Sequence, residues 1–168
     1  MRRKYFWFSV ALLCISIIAL LLLTSTNNSI EKQIIEKDST FTKIIHTYNN
    51  DWYTYAFYTT SSDSVGLALK EEDGDKLTHL FGHVPINSND GFTYGSQESK
   101  QLGQYVLYGV ITNAQITEVT VNEDLSNLIK IENGKYLWFY QSNKPFQSTS
   151  IAAQDSIGNT LFATKLYG

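Results

Sequence analysis

From Thr42 onward the chain is punctuated. Short runs of apolar, aromatic and β-branched residues are separated by breaks rich in Asn, Asp and Gly, and no stretch keeps helix spacing for long. Runs of this length with a two-residue period suit strands and are interrupted too often for a helical bundle. The strands expected are Thr42–Tyr48, Trp52–Thr59, Ser64–Glu71, Lys76–Val84, Gln104–Thr112, Ile116–Asn122, Asn127–Glu132, Lys135–Gln141, Ser150–Gln154 and Thr160–Leu166. Asp73-Gly74 and Asn133-Gly134 are residue pairs that accept the positive φ angles of tight hairpins. The pattern predicts a mostly β, antiparallel domain, sandwich-like or built as two small sheets.

What precedes that domain reads differently. Met1-Arg2-Arg3-Lys4 leads into an unbroken apolar run from Tyr5 to Leu23, followed by the polar Thr24-Ser25-Thr26-Asn27-Asn28-Ser29. At the helical rise such a run spans about 28 Å, close to the ~30 Å of a bilayer's hydrocarbon core. The basic residues lie before it, so the positive-inside rule puts 1–4 in the cytoplasm, 5–23 in the membrane as a transmembrane helix, and the rest outside. Tyr5, Phe6, Trp7 and Phe8 then fall at the cytoplasmic interface. The alternative is a secreted protein after signal cleavage, which needs a shorter apolar region and small residues at the cleavage point. Within 24–41, a juxtamembrane segment, Ser29 caps a short helix whose apolar positions are Ile30, Ile34 and Ile35. The extracytoplasmic β-rich domain is 42–168, with the polar, turn-rich stretch 85–103 as a place where it divides and as a contact loop.

The single cysteine, Cys14, lies inside the apolar run, so the exported part has no thiol and neither disulfides nor thiolate chemistry. Without Arg2, Arg3 and Lys4, ten basic residues face sixteen acidic ones, a formal charge of −6 outside the membrane. That sign disfavours nucleic acid and anionic polymers as partners.

The block "YGVITNAQITEVTVN", the hairpin "IENGKYLWFY" and "IAAQDSIGNTLF" together resemble an arrangement found in small anchored or exported proteins of Bacillus-type Gram-positive bacteria. "TKIIHTYNNDWYTYAFYTT" and "VGLALKEEDGDKL" are similar to the N-terminal half of those proteins. The resemblance implies an extracytoplasmic location and carries no activity or site residue.

No catalytic signature accompanies it. His79 and His83 stand in "HLFGH" without the intervening glutamate and unbroken helix of a zinc protease motif, so no metal site is expected. Glu71-Glu72-Asp73-Gly74-Asp75 lacks the alternating ligands of a calcium loop and reads as a solvated turn. A Gly-x-Ser-x-Gly elbow and the glycine-rich phosphate loops are absent, and no cofactor is implied. Aromatics are the enriched resource. In "YLWFY", strand alternation puts Leu137 and Phe139 on one face and Tyr136, Trp138 and Tyr140 on the other. With Tyr53 and Tyr55 these three rings are the candidate ligand-binding residues. The functional expectation is a non-enzymatic binding or interaction module, membrane-anchored through 5–23, for an envelope protein or glycan. The alternative is a wall-directed hydrolase whose acidic residues are unidentified.

Overall fold

The computed structural model describes residues 30–167. The span expected at 5–23 and the capping Ser29 lie outside the described residues. Among the described residues no helix is long and apolar enough to cross a membrane.

Among the described residues one α-helix, α1 (30–37), is followed by strands that form three four-stranded antiparallel sheets. The first sheet is a meander of consecutive strands, β1 (Phe41–Asn49), β2 (Tyr53–Thr60), β3 (Ser64–Glu71) and β4 (Leu77–Pro85). The middle sheet has the order β5 (Gly95–Ser99), β6 (Gln104–Ile111), β10 (Tyr136–Ser142), β9 (Asn127–Lys130). The third has the order β12 (Thr160–Leu166), β11 (Thr149–Gln154), β7 (Glu118–Val121), β8 (Asp124–Leu125). The mostly β, antiparallel class expected from the sequence is therefore present, with three sheets where two were expected.

The apolar clusters give the stacking order. Tyr55, Phe57, Leu67 and Leu69 of the first sheet meet Val106, Tyr108, Val110, Leu137 and Phe139 of the middle sheet. Leu107, Ile111 and Trp138, on the opposite face of the middle sheet, meet Val119, Val121, Ile151 and Ala153 of the third. On the outside of the first sheet, Ile30 and Ile34 of α1 cover Ala56, Tyr58, Ala68 and Leu77. Ile35, read as part of the same helix face, is 51 % exposed. The middle sheet is thus covered on both sides, which is why "YVLYGVI" and "YLWFY" lack the polar alternation of a half-solvated strand.

Side chains fasten the seams of the first two sheets. Lys43 of β1 pairs with Glu132 beyond β9, and on the other side the Gly82 N–H of β4 donates to Gln97 Oε1 of β5 at 3.0 Å.

The turns follow their residue chemistry. Asn133 (φ 60°) and Gly134 (φ 71°) link β9 to β10, with the Lys135 N–H donating to Glu132 O. The Asp73-Gly74 hairpin joins β3 to β4 with positive φ at neither residue. The stretch 85–103 runs from the end of the first sheet at Pro85 into the middle sheet. Ile86 and Phe92 are buried in two different cores, Phe92 bridges to Ile111, and β5 lies within it.

Candidate functional site

The five predicted binding residues separate into two groups. Trp138 and Tyr55 are fully buried, so neither ring can touch a ligand in the folded chain, and the two are corrected from candidate ligand contacts to core residues. Tyr136, Tyr140 and Tyr53 are half-buried. The row Tyr136–Trp138–Tyr140 does share one face, but that face is turned onto the third sheet.

Trp138 shows how firmly it is held. It stands directly opposite Gly109 on β6. Its indole N–H reaches past that glycine to donate to the Thr93 carbonyl at 2.9 Å, and its ring stacks on Phe92 at 5.3 Å. A Cβ on Gly109 would stand 1.8 Å from the Thr93 oxygen and 2.8 Å from the indole nitrogen, so only glycine leaves room for this crossing. The Tyr55 hydroxyl donates to Gln104 Oε1 at 2.6 Å, and burial pushes its pKa up to about 12. Tyr53 sits edge-on to it at 6.4 Å. Tyr140 donates to Asp124 Oδ2 at 3.0 Å, and partial burial together with that carboxylate raises its pKa.

Aromatic surface that solvent does reach lies elsewhere. A groove of about 460 Å³ runs between β5–β6, the β10–β11 connection and the end of β12. Tyr105, Pro145, Phe146, Leu166 and Tyr167 supply its apolar surface, and Ser96, Glu98, Lys100 and Gln147 its polar groups. Phe146 meets Tyr105 edge-on at 6.4 Å and Tyr140 at 6.3 Å, so it connects the groove to the last ring of "YLWFY". Tyr167 is 80 % exposed, with the Lys165 ammonium 5.6 Å from its ring centroid. Lys100 and Glu98 pair at 3.3 Å on the rim. Rings combined with amide, hydroxyl and charged groups can stack against a planar or sugar ring and hydrogen-bond its edge. The groove is assembled from residues far apart in the chain, and no local pattern marks Phe146 or Tyr167 as members of it.

A second polar constellation also went unmarked. Asp38, just past α1, is buried on the outer face of the first sheet. Its Oδ1 accepts from Thr40 N–H at 2.9 Å and Thr40 Oγ1 at 2.6 Å, and its Oδ2 accepts from the Tyr58 hydroxyl and from His83 Nε2, each at 2.8 Å. Burial opposes the charge, but the Thr40, Tyr58 and His83 hydrogen bonds outweigh it and hold the carboxyl at about 2. Burial, reinforced by the bond to Asp38, drives the Tyr58 hydroxyl well above its ordinary range. Tyr58, Gly66 and His83 are cross-strand neighbours on β2, β3 and β4. The Tyr58 ring lies over Gly66, where a Cβ would be 2.3 Å from Cζ. Both carboxylate oxygens of Asp38 are engaged by its neighbours, which suits a clasp holding the α1–β1 connection against the sheet. Gln33, which donates to the Asp75 carbonyl at 3.0 Å, and Lys37, which donates to that of Leu77 at 3.1 Å, tie α1 down alongside it.

The acidic turn lies at the far end of that sheet, where Asp51, Glu71, Glu72 and Asp73 line a shallow recess beside Trp52, itself 73 % exposed. Among the described residues, no group of three or more His, Cys, Asp or Glu side chains is placed to hold a metal ion. Comparison of the chain with protein-family models, with curated proteins and with solved structures gave no match.

Proposed function

We propose that this chain is a non-enzymatic binding module of the cell envelope, tethered through 5–23, that takes an uncharged glycan in the groove between the middle and third sheets. The observation that carries it is the groove itself, where the exposed Tyr167 ring and the half-buried Phe146 ring meet hydroxyl, amide and charged groups. Glu98 is the one carboxylate among the described lining residues, and Lys100 is its partner. The facing pair of carboxylates that glycoside hydrolysis uses is therefore not in this groove. A formal charge of −6 on the exported part favours a neutral ligand over an anionic polymer. A tether suits a weak binder, since confinement raises its effective concentration near an envelope partner. The resemblance to exported proteins of Bacillus-type Gram-positive bacteria supports the same location.

Titration with N-acetylglucosamine oligomers tests the reading. Tyr167→Ala should weaken binding by about fivefold or more, the loss of an interface ring worth upward of 1 kcal/mol, with thermal stability unchanged because that ring is exposed. Binding that ignores Tyr167, or no binding of any neutral oligosaccharide, would defeat it. Location is tested separately: protease added to intact cells should digest the domain. The hydrolase reading has its natural place at the Trp52 recess, where carboxylates gather. Turnover of such an oligomer that disappears in Glu72→Gln would favour it.

A further inference from the structure

The three sheets expose six edge strands, and five of them carry a feature that discourages a further strand. β1 is broken by two register shifts and carries Lys43. On β4 the Gly82 N–H is already taken by Gln97. β5 has five residues, with Glu98 on it and Lys100 just beyond; β8 has two residues, and β9 has four, ending in Lys130. β12 differs: it has seven residues, no proline, one charge (Lys165) and a single register shift at its very start, opposite Ala153 and Gln154.

The direction of its free hydrogen-bonding groups follows from the pairing. The Asn122 N–H donates to the Ser150 carbonyl at 2.9 Å, so Ser150, and by alternation Ala152, turn their backbone groups toward β7. Thr149, Ile151 and Ala153 must then face β12, where their partners are Leu166, Thr164 and Phe162. The N–H and C=O groups of Ala163 and Lys165 consequently point away from the sheet. Among the described residues no strand pairs with that side.

We infer that β12 pairs antiparallel with β12 of a second copy of this chain, on a twofold axis at Ala163, joining two third sheets into one. The strand is self-complementary in that register. Ala163 meets Ala163 of the partner subunit, which places two small side chains at the axis. Phe162 falls opposite the partner's Thr164 on the buried face, and Leu161 opposite the partner's Lys165 on the outer face. The alternative outward-facing centre, Lys165, would oppose two ammonium groups, a destabilising cross-strand pair. A seam of one strand a side falls short of the ~1,000 Å² typical of a stable interface, so the dimer is weak and concentration-dependent, and co-tethering would favour it. The inference does not depend on what the groove binds.

Cysteine cross-linking reads the register directly. The test uses the full chain with Cys14→Ser, so that an introduced thiol is the only one. A hydrogen-bonded antiparallel pair has Cα atoms about 5.5 Å apart, within the range a disulfide spans. Ala163→Cys should therefore form a disulfide-linked dimer under mild oxidation. Lys165→Cys alone should not, because its copies stand about 13 Å apart along the strand. Lys165→Cys mixed with a differently tagged Leu161→Cys should cross-link as a heterodimer. Cross-linking at no position, or equally at all, overturns the inference, and so does an edge that captures a strand of another protein while Ala163→Cys stays monomeric. As a second reading, Ala163→Pro removes an outward N–H and should abolish the sedimentation dimer while the melting temperature holds. A dimer that survives Ala163→Pro overturns the inference as well.

Discussion

Replacing Trp138 with alanine distinguishes a core ring from a surface ring by magnitude. Were Trp138 part of an exposed binding row, its loss would change affinity and leave stability near wild type. It is instead fully buried and stacked on Phe92, and its indole N–H satisfies the Thr93 carbonyl. Truncating a buried tryptophan costs about 3–5 kcal/mol through lost burial and the cavity left behind. A buried carbonyl left without its donor adds about 1–3 kcal/mol if no water enters. Against a typical domain stability of 5–15 kcal/mol, the sum leaves the variant marginal or unfolded. Trp138→Phe keeps the stack on Phe92 and removes the N–H, so it should lose mainly the hydrogen-bond part, about 1–3 kcal/mol. Urea unfolding followed by far-ultraviolet circular dichroism gives both numbers, with the shift expected in the midpoint and not in the slope. A Trp138→Ala unfolding free energy within about 1 kcal/mol of wild type would refute the burial argument and with it the stacking of the middle sheet on the third.

Two further perturbations address the clasp. Gly66→Ala puts a methyl group 2.3 Å from the Tyr58 ring and should cost about 1–3 kcal/mol in chemical denaturation; a neutral result would show that Tyr58 does not lie over β3. Asp38, held at about 2 in the fold against 3.8 when free, stabilises the fold fully above pH 4 and loses that contribution as pH falls from 4 to 2, a difference of about 2 kcal/mol. Unfolding free energies at pH 6 and pH 3 should show about half of this loss, roughly 1 kcal/mol, and Asp38→Asn should flatten that part of the profile.

Local chemistry made much of the fold legible. The Asn133-Gly134 turn, the short helix after Ser29 and most strands follow from two- to seven-residue patterns, and the inward faces of Leu137 and Phe139 follow from alternation. What alternation cannot state is how many layers lie on either side of a strand. β10 reads as buried on both faces or as carrying an exposed row, and the choice depends on a third sheet whose strands come from 118–125 and 149–166. β5 escaped notice because Ser96, Gln97 and Glu98 give it polar strand positions, and because it lies on a sheet edge. The groove and the Asp38 clasp are products of long-range closure: His83 lies 45 residues from Asp38, and Tyr105 and Phe146 meet only through the fold. Two single glycines, Gly66 and Gly109, were unremarkable in sequence. Each proves to be the floor over which a neighbouring strand's aromatic ring passes.

The unequal connectivity of the sheets also bears on how the chain folds. The first sheet is made of strands consecutive in sequence, joined by short turns, so its pairings close small loops and can form early. Its apolar inner face is covered largely by β6 and β10, and β10 leaves the ribosome roughly 65 residues after β3. The middle sheet in turn cannot bury its second face until β7 and β11 have paired across the intervening hairpin. A nascent or truncated chain ending before Tyr136 therefore presents the side chains of Phe57, Leu67 and Leu69 to whatever is nearby, the condition under which β proteins aggregate. "YLWFY", the most densely aromatic segment outside the N-terminal run, is the piece whose late arrival ends that exposure on both sides at once.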